Sequence, residues 1–279
     1  MAKRKNIIKP ILPYDPLADN HEKNPPAPEA VPPKRKGHKN YIPTFFIVGL
    51  AIVTTVSTLA FFAFAYRHIR ELNEARQGYN TLREIAEQTM DIGGGVYPVF
   101  YTPHVSAFDG MMLDINPDFV CWIRIEGTRI DYPVVRAENN ERYLNIMFTG
   151  EDNEHGAVFM DYRNAGDFVP HIIIYGHNSR YGNMFSDLRR FLDGEFLLRY
   201  PTISLIVNDR LVEYDIFSAK KTDITDPAFF LDFNEAGSFH DFLERIGAPP
   251  DAAQIITLST CVSAGNDDER VIVQGVLRR

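Results

Sequence analysis

The sequence predicts a mainly β domain, folded as a barrel or a sandwich, that follows a single transmembrane helix. Two observations support this prediction. Residues 44–65 form a run of 22 residues without a charge, which as a helix rising about 1.5 Å per residue can cross the hydrocarbon core of a membrane. From about residue 110, short runs rich in β-branched and aromatic residues alternate with Asn, Asp and Gly turns, a pattern typical of strands.

The segment before the apolar run is basic, whereas the rest of the chain is acidic. Residues 1–41 hold nine of the 29 Lys and Arg residues and four of the 37 Asp and Glu residues, which leaves 20 basic and 33 acidic residues for the remainder. Residues 1–41 are also rich in Pro and poor in large apolar side chains, so we expect a disordered cytoplasmic tail. The acidic main body argues against nucleic acid as a partner, because phosphate binding needs clustered Lys and Arg.

The predicted transmembrane helix covers residues 42–66. The stretch RKGHK before it carries more positive charge than Arg67 and Arg70 after it, so the positive-inside rule places the N-terminus in the cytoplasm and residues 66–279 outside. A cleaved signal peptide is the main alternative, but its apolar region is usually only about 7–15 residues long. A buried core helix is less favoured, because the run is apolar on every face.

Beyond the membrane we expect a helical linker region and then the β domain. Apolar residues at helical spacing in 67–92 predict an amphipathic helix that Gly78 could interrupt; the linker region is assigned to 67–108 and the β domain to 109–279. Two further segments, 183–201 and 226–250, look helical. The eight expected strands are VCWIRIEG, IDYPVV, GAVFMD, HIIIYG, TISLIV, VEYDIFSAK, QIITLS and RVIVQGVL.

The chain has two cysteines, and their settings differ. Cys121 lies in a mostly apolar strand-like run and is predicted to be a buried core thiol, with a disulfide to Cys261 left open. Cys261 stands where an apolar strand gives way to a polar loop, a place where functional groups tend to reach solvent. Alone it could be a packed hydrophobe or a nucleophile, and a reactive thiol needs a base or cation nearby. Because the chain has no CxxC, HExxH or phosphate-loop pattern, we expect no metal and no cofactor.

Two residues could serve Cys261. His177 follows an apolar strand that His171 begins, whereas His155 is expected in a polar loop. Arg270 opens the last strand. If Cys261 and Arg270 terminate adjacent antiparallel strands, their nine-residue separation brings them to the same rim. A guanidinium there could stabilise the oxyanion of an acyl-transfer intermediate.

These motifs resemble those of the sortases, cysteine transpeptidases that anchor proteins to Gram-positive cell walls. TLSTC at 257–261, followed by Arg270, is similar to the family signature, and YGHN at 175–178 is similar to the catalytic-histidine segment. The wider resemblance, to class B sortases, covers roughly 95–279 and is carried by 115–135, 143–164 and 183–191.

The resemblance implies an eight-stranded sortase-type β-barrel with N-terminal helices before it and a long helix inserted between the sixth and seventh strands. Residues 67–92 and 227–246 are the expected counterparts of those helices. One position departs from the family, since Cys121 stands where a small residue such as Gly is expected.

The resemblance also implies the chemistry. Cys261 would be the nucleophile, His177 the proton carrier and Arg270 the oxyanion or substrate ligand, with Tyr175, Ser259 and Thr260 as substrate-binding candidates. The expected partners are secreted proteins with an Asn-Pro-x-Thr-Asn-like C-terminal sorting motif, and an amine of a peptidoglycan precursor or cross-bridge.

Two alternatives stay open at this point. One is a catalytically silent, membrane-anchored binding protein that keeps the barrel. The other is a hydrolytic cysteine peptidase, although papain-like enzymes place the nucleophile at a helix N-terminus near the start of the domain.

Overall fold

The chain forms a closed eight-stranded β-barrel with the strand order β1-β2-β3-β4-β7-β8-β6-β5. The structure, a computed structural model, describes residues 43–90, 105–164, 169–179, 182–235, 238–263 and 266–279, with the backbone alone at 261–263 and 266–267. The predicted cytoplasmic tail, 1–41, lies outside these residues. The closed barrel confirms the expected fold and decides against a sandwich.

All eight strands expected from the sequence are present, in the same order. Six of the eight neighbouring pairs are antiparallel, while β2–β3 and β4–β7 are parallel. The strands are β1 (Phe119–Arg124), β2 (Asp131–Val135), β3 (Val158–Met160), β4 (His171–Tyr175), β5 (Thr202–Val207), β6 (Arg210–Asp223), β7 (Ile255–Ser263) and β8 (Asn266–Leu277).

Strand β7 is buried on both of its faces, which explains its nearly continuous apolar sequence. Ile256 and Leu258 belong to the main core inside the barrel. Ile255 instead packs in a second cluster with Phe242 and Leu243, which come from the insertion between β6 and β7. The insertion therefore covers the outer face of the strand that carries Cys261.

The helices are α1 (Thr44–Thr89), α2 (Ala107–Ile115), α3 (Gly194–Arg199) and α4 (Ser238–Ile246), with 3-10 segments at Arg142–Leu144, Ser186–Leu192 and Pro227–Phe229. The inserted helix between the sixth and seventh strands stands where it was expected. It is shorter than 227–246, because Phe230 and Phe233 lie outside regular helix and pack by ring contacts, Phe233 against Phe239 of α4. Likewise, 183–201 forms a 3-10 segment and the short α3 rather than one helix.

The chain divides into two compact units between Thr55 and Val56. In the first, residues 44–55 belong to α1 and are exposed. In the second, four residues of α1 join the main core of the barrel: Ala75, Tyr79, Leu82 and Ala86. Helix α1 contains an apolar stretch that is long enough to cross a membrane and that is not buried against the rest of the protein.

The expected interruption of the helix at Gly78 is wrong, because α1 continues through it. A Cβ atom at Gly78 would stand 3.2 Å from Cε of Met147. The glycine therefore allows the helix to approach the segment that contains Met147 closely.

Cys121 is a buried free thiol inside the barrel, as predicted. Its Cα atom pairs with that of Val134 on β2, next to an irregularity in the strand register. Burial raises the pKa of the Cys121 thiol, with a smaller contribution from the charge of Asp109. Since the thiol is free, the Cys121–Cys261 disulfide is excluded.

Candidate active site

Neighbouring strands bring the three predicted catalytic positions to one end of the barrel. In the parallel pair β4–β7, Tyr175 stands beside Ser259, and the amide of Gly176 donates to the Ser259 carbonyl at 3.2 Å. His177 and Cys261 each follow two residues later. On the other side of β7, the Cα atom of Cys261 pairs with that of Arg270 in β8. The expected placement of Cys261 and Arg270 on adjacent antiparallel strands is thus confirmed. Neither residue terminates its strand, however, because β7 continues to Ser263 and β8 begins at Asn266.

The side chain of His177 is anchored by a backbone carbonyl. Its Nε2 atom lies 2.7 Å from the carbonyl oxygen of Leu144. Because a carbonyl only accepts, Nε2 must carry a hydrogen, and Nδ1 is left as the nitrogen that can take up or release a proton. The contact fixes both the tautomer and the ring orientation.

The backbone around His177 is fixed as well. The Phe185 amide donates to the His177 carbonyl at 3.0 Å, and Asn178 forms an isolated bridge with Met184. A Cβ atom at Gly176 would stand 2.7 Å from the Phe185 ring, so the ring occupies the space that a side chain there would need.

Gly156 supports the carbonyl that His177 contacts. Gly156 has a φ of +53°, and a Cβ atom there would lie 2.3 Å from the Tyr143 oxygen and 2.6 Å from the Leu144 oxygen. Only glycine fits this position without displacing those carbonyls. Sequence reasoning missed Leu144, because a main-chain acceptor leaves no mark in the identity of its residue.

His155 lies in a loop, as expected, but it is buried there. It is 5% exposed, and its Nε2 atom has no hydrogen-bond partner among the residues that the structure describes. Burial lowers the pKa of His155 below its usual value, which keeps the ring neutral at neutral pH. Helix α1 covers this loop, since the Asn153 side chain donates to the Glu71 carbonyl at 3.1 Å.

Arg270 lies between two strands at the same end of the barrel. It pairs with Cys261 on one side and with Thr222 of β6 on the other, and it is half-buried. Its Cα atom thus stands beside that of Cys261, and its Nη1 atom donates to the Glu269 carbonyl at 3.4 Å.

The substrate-binding candidates differ in their settings. Tyr175 is partly exposed, and its hydroxyl donates to Oδ2 of Asp161 at 3.0 Å. Burial and the Asp161 charge raise the pKa of Tyr175. Ser259 and Thr260 are only 1% and 2% exposed. Tyr175 is thus the only one of the three with appreciable exposure.

Asp161 is a buried carboxylate that the sequence did not single out. Burial favours its neutral form, but hydrogen bonds from Arg163 and Asn140 outweigh this and hold the pKa of Asp161 below its usual value. Arg163 contacts it through Nε at 2.9 Å and Nη2 at 2.8 Å. The charged pair gives the Tyr175 hydroxyl a fixed acceptor.

One group of side chains in the described part of the chain has the spacing of metal ligands. Ligand atoms of His68, Glu71 and Glu154 lie within 4.8 Å of one another. Glu71 already accepts from Nε of Arg67 at 2.9 Å, and Nδ1 of His68 lies 3.1 Å from Glu154. These two pairs explain why the three side chains lie close together, and the positive charge of Arg67 opposes binding of a cation there.

Residues 123–278 match the Sortase domain family. A sortase B of Listeria monocytogenes is 34% identical over 174 residues, which cover 58% of this chain and 71% of that protein. The structure is similar to that of a Staphylococcus aureus sortase B–substrate complex, with a TM-score of 0.65 and 26% identity over 75% of this chain and 99% of that one. It is also similar to a sortase B complexed with triglycine, with a TM-score of 0.64 and 26% identity over 74% of this chain and 98% of that one.

Proposed function

Because this chain belongs to the sortase family and, within it, to class B, we propose that it is a membrane-anchored transpeptidase with Cys261 as its nucleophile. Its substrates are secreted proteins with an Asn-Pro-x-Thr-Asn-like C-terminal motif, which it cleaves after Thr and joins to a peptidoglycan amine. The observation that carries this proposal is the strand register, which pairs Cys261 with Arg270 and pairs Tyr175 with Ser259, two residues before His177 and Cys261.

The first half of the reaction forms a thioester. The Cys261 thiolate attacks the carbonyl carbon of the motif Thr, and the carbonyl oxygen becomes an oxyanion. Protonated His177 gives its proton to the nitrogen of the following residue, the C–N bond breaks, and the amine leaves. Arg270 hydrogen-bonds the oxyanion or holds the substrate backbone; loss of such a donor typically costs about 10²–10³ in rate.

The second half transfers the acyl group. An amine of a peptidoglycan precursor or cross-bridge attacks the thioester carbonyl, His177 accepts a proton from this amine, and the Cys261 thiolate leaves. The similar structures with a substrate and with triglycine support this two-substrate scheme, since they supply an acyl donor and an amine respectively.

The anchoring of His177 assigns its two nitrogens. Nε2 donates to the Leu144 carbonyl and stays protonated throughout, so Nδ1 carries the proton that moves between the leaving and attacking amines.

Product analysis with the full chain in detergent tests the proposal. A peptide with the sorting motif is incubated with and without an amine acceptor. We expect an amide-linked product that requires the amine and disappears in Cys261→Ala, whereas Cys121→Ala, which removes the other thiol, retains turnover.

Other outcomes identify the alternatives. Cleavage to the free acid at the same rate with and without amine indicates a hydrolytic peptidase. No reaction with any class B-type motif, together with no labelling of Cys261 by a thiol-directed sorting-peptide analogue, indicates a binding protein without chemistry.

A further inference from the structure

We propose that Tyr79 of helix α1 is a positioning residue for His177, and this inference rests on the proposed function in taking His177 as the proton carrier. The Tyr79 hydroxyl bonds Gly156, which packs against the Leu144 carbonyl. The Tyr79 ring contacts Tyr132, whose hydroxyl bonds the loop that follows His177. The part of α1 that follows its apolar run thereby sets the position of the His177 ring.

The first connection runs through the hydroxyl. The Tyr79 hydroxyl donates to the Gly156 carbonyl at 2.8 Å, and both groups are buried. Gly156 is packed against the Tyr143 and Leu144 carbonyls so tightly that a Cβ atom would overlap both. A shift of Gly156 therefore moves the Leu144 oxygen, which is the acceptor for Nε2 of His177.

The second connection runs through the ring. The Tyr79 ring packs edge-on against the Tyr132 ring, with centroids 5.2 Å apart. The Tyr132 hydroxyl accepts from the Met184 amide at 3.1 Å. Met184 bridges to Asn178, the residue after His177. One side chain of α1 is thus connected, through Gly156 and through Tyr132, to the segments on both sides of the His177 ring.

Further contacts hold α1 in place beside the 143–157 loop. Gly78 lets the helix approach Met147, and the Glu71 carbonyl accepts from Asn153. Nε of Arg83 donates to the Asp131 carbonyl at 2.9 Å. Tyr79 is therefore a buried residue on a helix that is held in place. Removal of its hydroxyl takes away the hydrogen bond to the buried Gly156 carbonyl, so the loop around Gly156 must adjust.

The test compares Tyr79→Phe with Tyr214→Phe in the full chain in detergent. Both changes remove one buried hydroxyl from the main core and keep the ring. Tyr214 bonds Gln254 at 2.6 Å, and it pairs with Leu277 at the end of β8 far from Arg270. The Tyr214→Phe variant therefore measures the effect of losing a buried hydrogen bond that is not connected to His177.

Two measurements are made. NMR signals of the ring nitrogens in ¹⁵N-labelled histidines report the Nε2–H tautomer without any substrate. The His177 signal is assigned by its disappearance in His177→Gln. Steady-state kinetics with a sorting peptide and an amine report kcat and KM. In Tyr79→Phe we expect the His177 ring to lose its single tautomer, and kcat to fall by roughly 10- to 100-fold because the proton carrier is misplaced. KM should change less than twofold. Tyr214→Phe should match wild type in the His177 ring signals and in the kinetics.

The outcomes separate the two proposals. If wild type is active and Tyr79→Phe keeps both the His177 ring signals and kcat, the positioning role is overturned. An equal loss in Tyr214→Phe overturns it too, because the effect would then be general loss of stability. If wild type cleaves no motif, the proposed function fails while the ring signals still decide the positioning role. Should Tyr79→Phe fail to fold, Tyr132→Phe, which removes the Met184 acceptor and so breaks the second connection, replaces it. We then expect kcat to fall while Tyr214→Phe again matches wild type, and an unchanged kcat overturns the positioning role.

Discussion

His171 shows how one buried histidine ties the β6–β7 insertion to the barrel. Its Nδ1 atom lies 2.8 Å from the Phe230 carbonyl, and its Nε2 atom lies 2.8 Å from the Thr257 hydroxyl. Because the carbonyl only accepts, Nδ1 carries the hydrogen and Nε2 accepts from Thr257. Burial lowers the pKa of His171 to about 4, so the insertion is held by a neutral ring.

This pKa predicts a stability that depends on pH. The unfolded chain binds a proton at His171 near pH 6.5, and the folded chain only near pH 4. The free energy of unfolding that depends on neutral His171 is therefore complete above pH 6.5 and declines as the pH falls towards 4. By pH 4.5 the loss reaches about 2–3 kcal/mol. Thermal unfolding of the full chain in detergent at pH 7 and pH 4.5 measures it.

The control for this prediction is another histidine. His171→Gln should reduce the difference between the two pH values, whereas His240→Gln, at an exposed position of α4, should leave it unchanged. An undiminished difference in His171→Gln would show that other groups, such as buried His155 or Asp161, cause the acid sensitivity.

Single residues differ in how well the sequence predicted them. The buried thiol of Cys121 was predictable, because its neighbours are apolar and alternate as in a strand. The burial of His155 was not, because the residues around it are polar and only the packing of α1 covers them. The role of Leu144 comes from its main-chain oxygen, which every residue type shares.

At the scale of elements, helix α1 combines two kinds of surface. Residues 44–65 are apolar and almost entirely exposed, whereas Leu72, Ala75, Tyr79, Leu82 and Ala86 are buried. The first part is suited to a membrane and the second to packing on the barrel. We propose that the helix crosses the membrane with its N-terminus in the cytoplasm, as the basic residues before it indicate.

Protease treatment of protoplasts tests this orientation. We expect added protease to degrade the 66–279 region while an N-terminal tag stays protected until the membrane is lysed. The matched control places the tag at the C-terminus, where it should be lost before lysis. Protection of the C-terminal tag, with loss of the N-terminal one, would mean that the orientation is reversed.

The strands were more predictable than the helices. Alternating β-branched runs between turn residues mark each strand locally, and all eight were found. The helices around the barrel are short and depend on tertiary contacts, as in the insertion, where Phe230 and Phe233 lie outside regular helix and pack by ring contacts. Sequence periodicity alone therefore overestimated the length of the inserted helix.

At the scale of the whole molecule, strand pairing brings distant parts of the chain together. His177 and Cys261 are far apart in sequence. The parallel pairing of β4 with β7 puts Tyr175 beside Ser259, two residues before each of them, only after β5, β6 and the insertion have been traversed. Such a parallel pair requires a long connection. The residues alone could indicate strand ends, but only the resemblance to sortases indicated that these ends meet.

The central claim is that Cys261 carries the acyl group, and the most direct test is to locate that group. The full chain in detergent is mixed with a sorting peptide without an amine, quenched in acid, and mapped by mass spectrometry. We predict an adduct equal to the peptide through its Thr, carried by the fragment that contains Cys261, present in Cys121→Ala and absent in Cys261→Ala. An adduct on Cys121, or peptide cleavage that continues in Cys261→Ala, would contradict the claim.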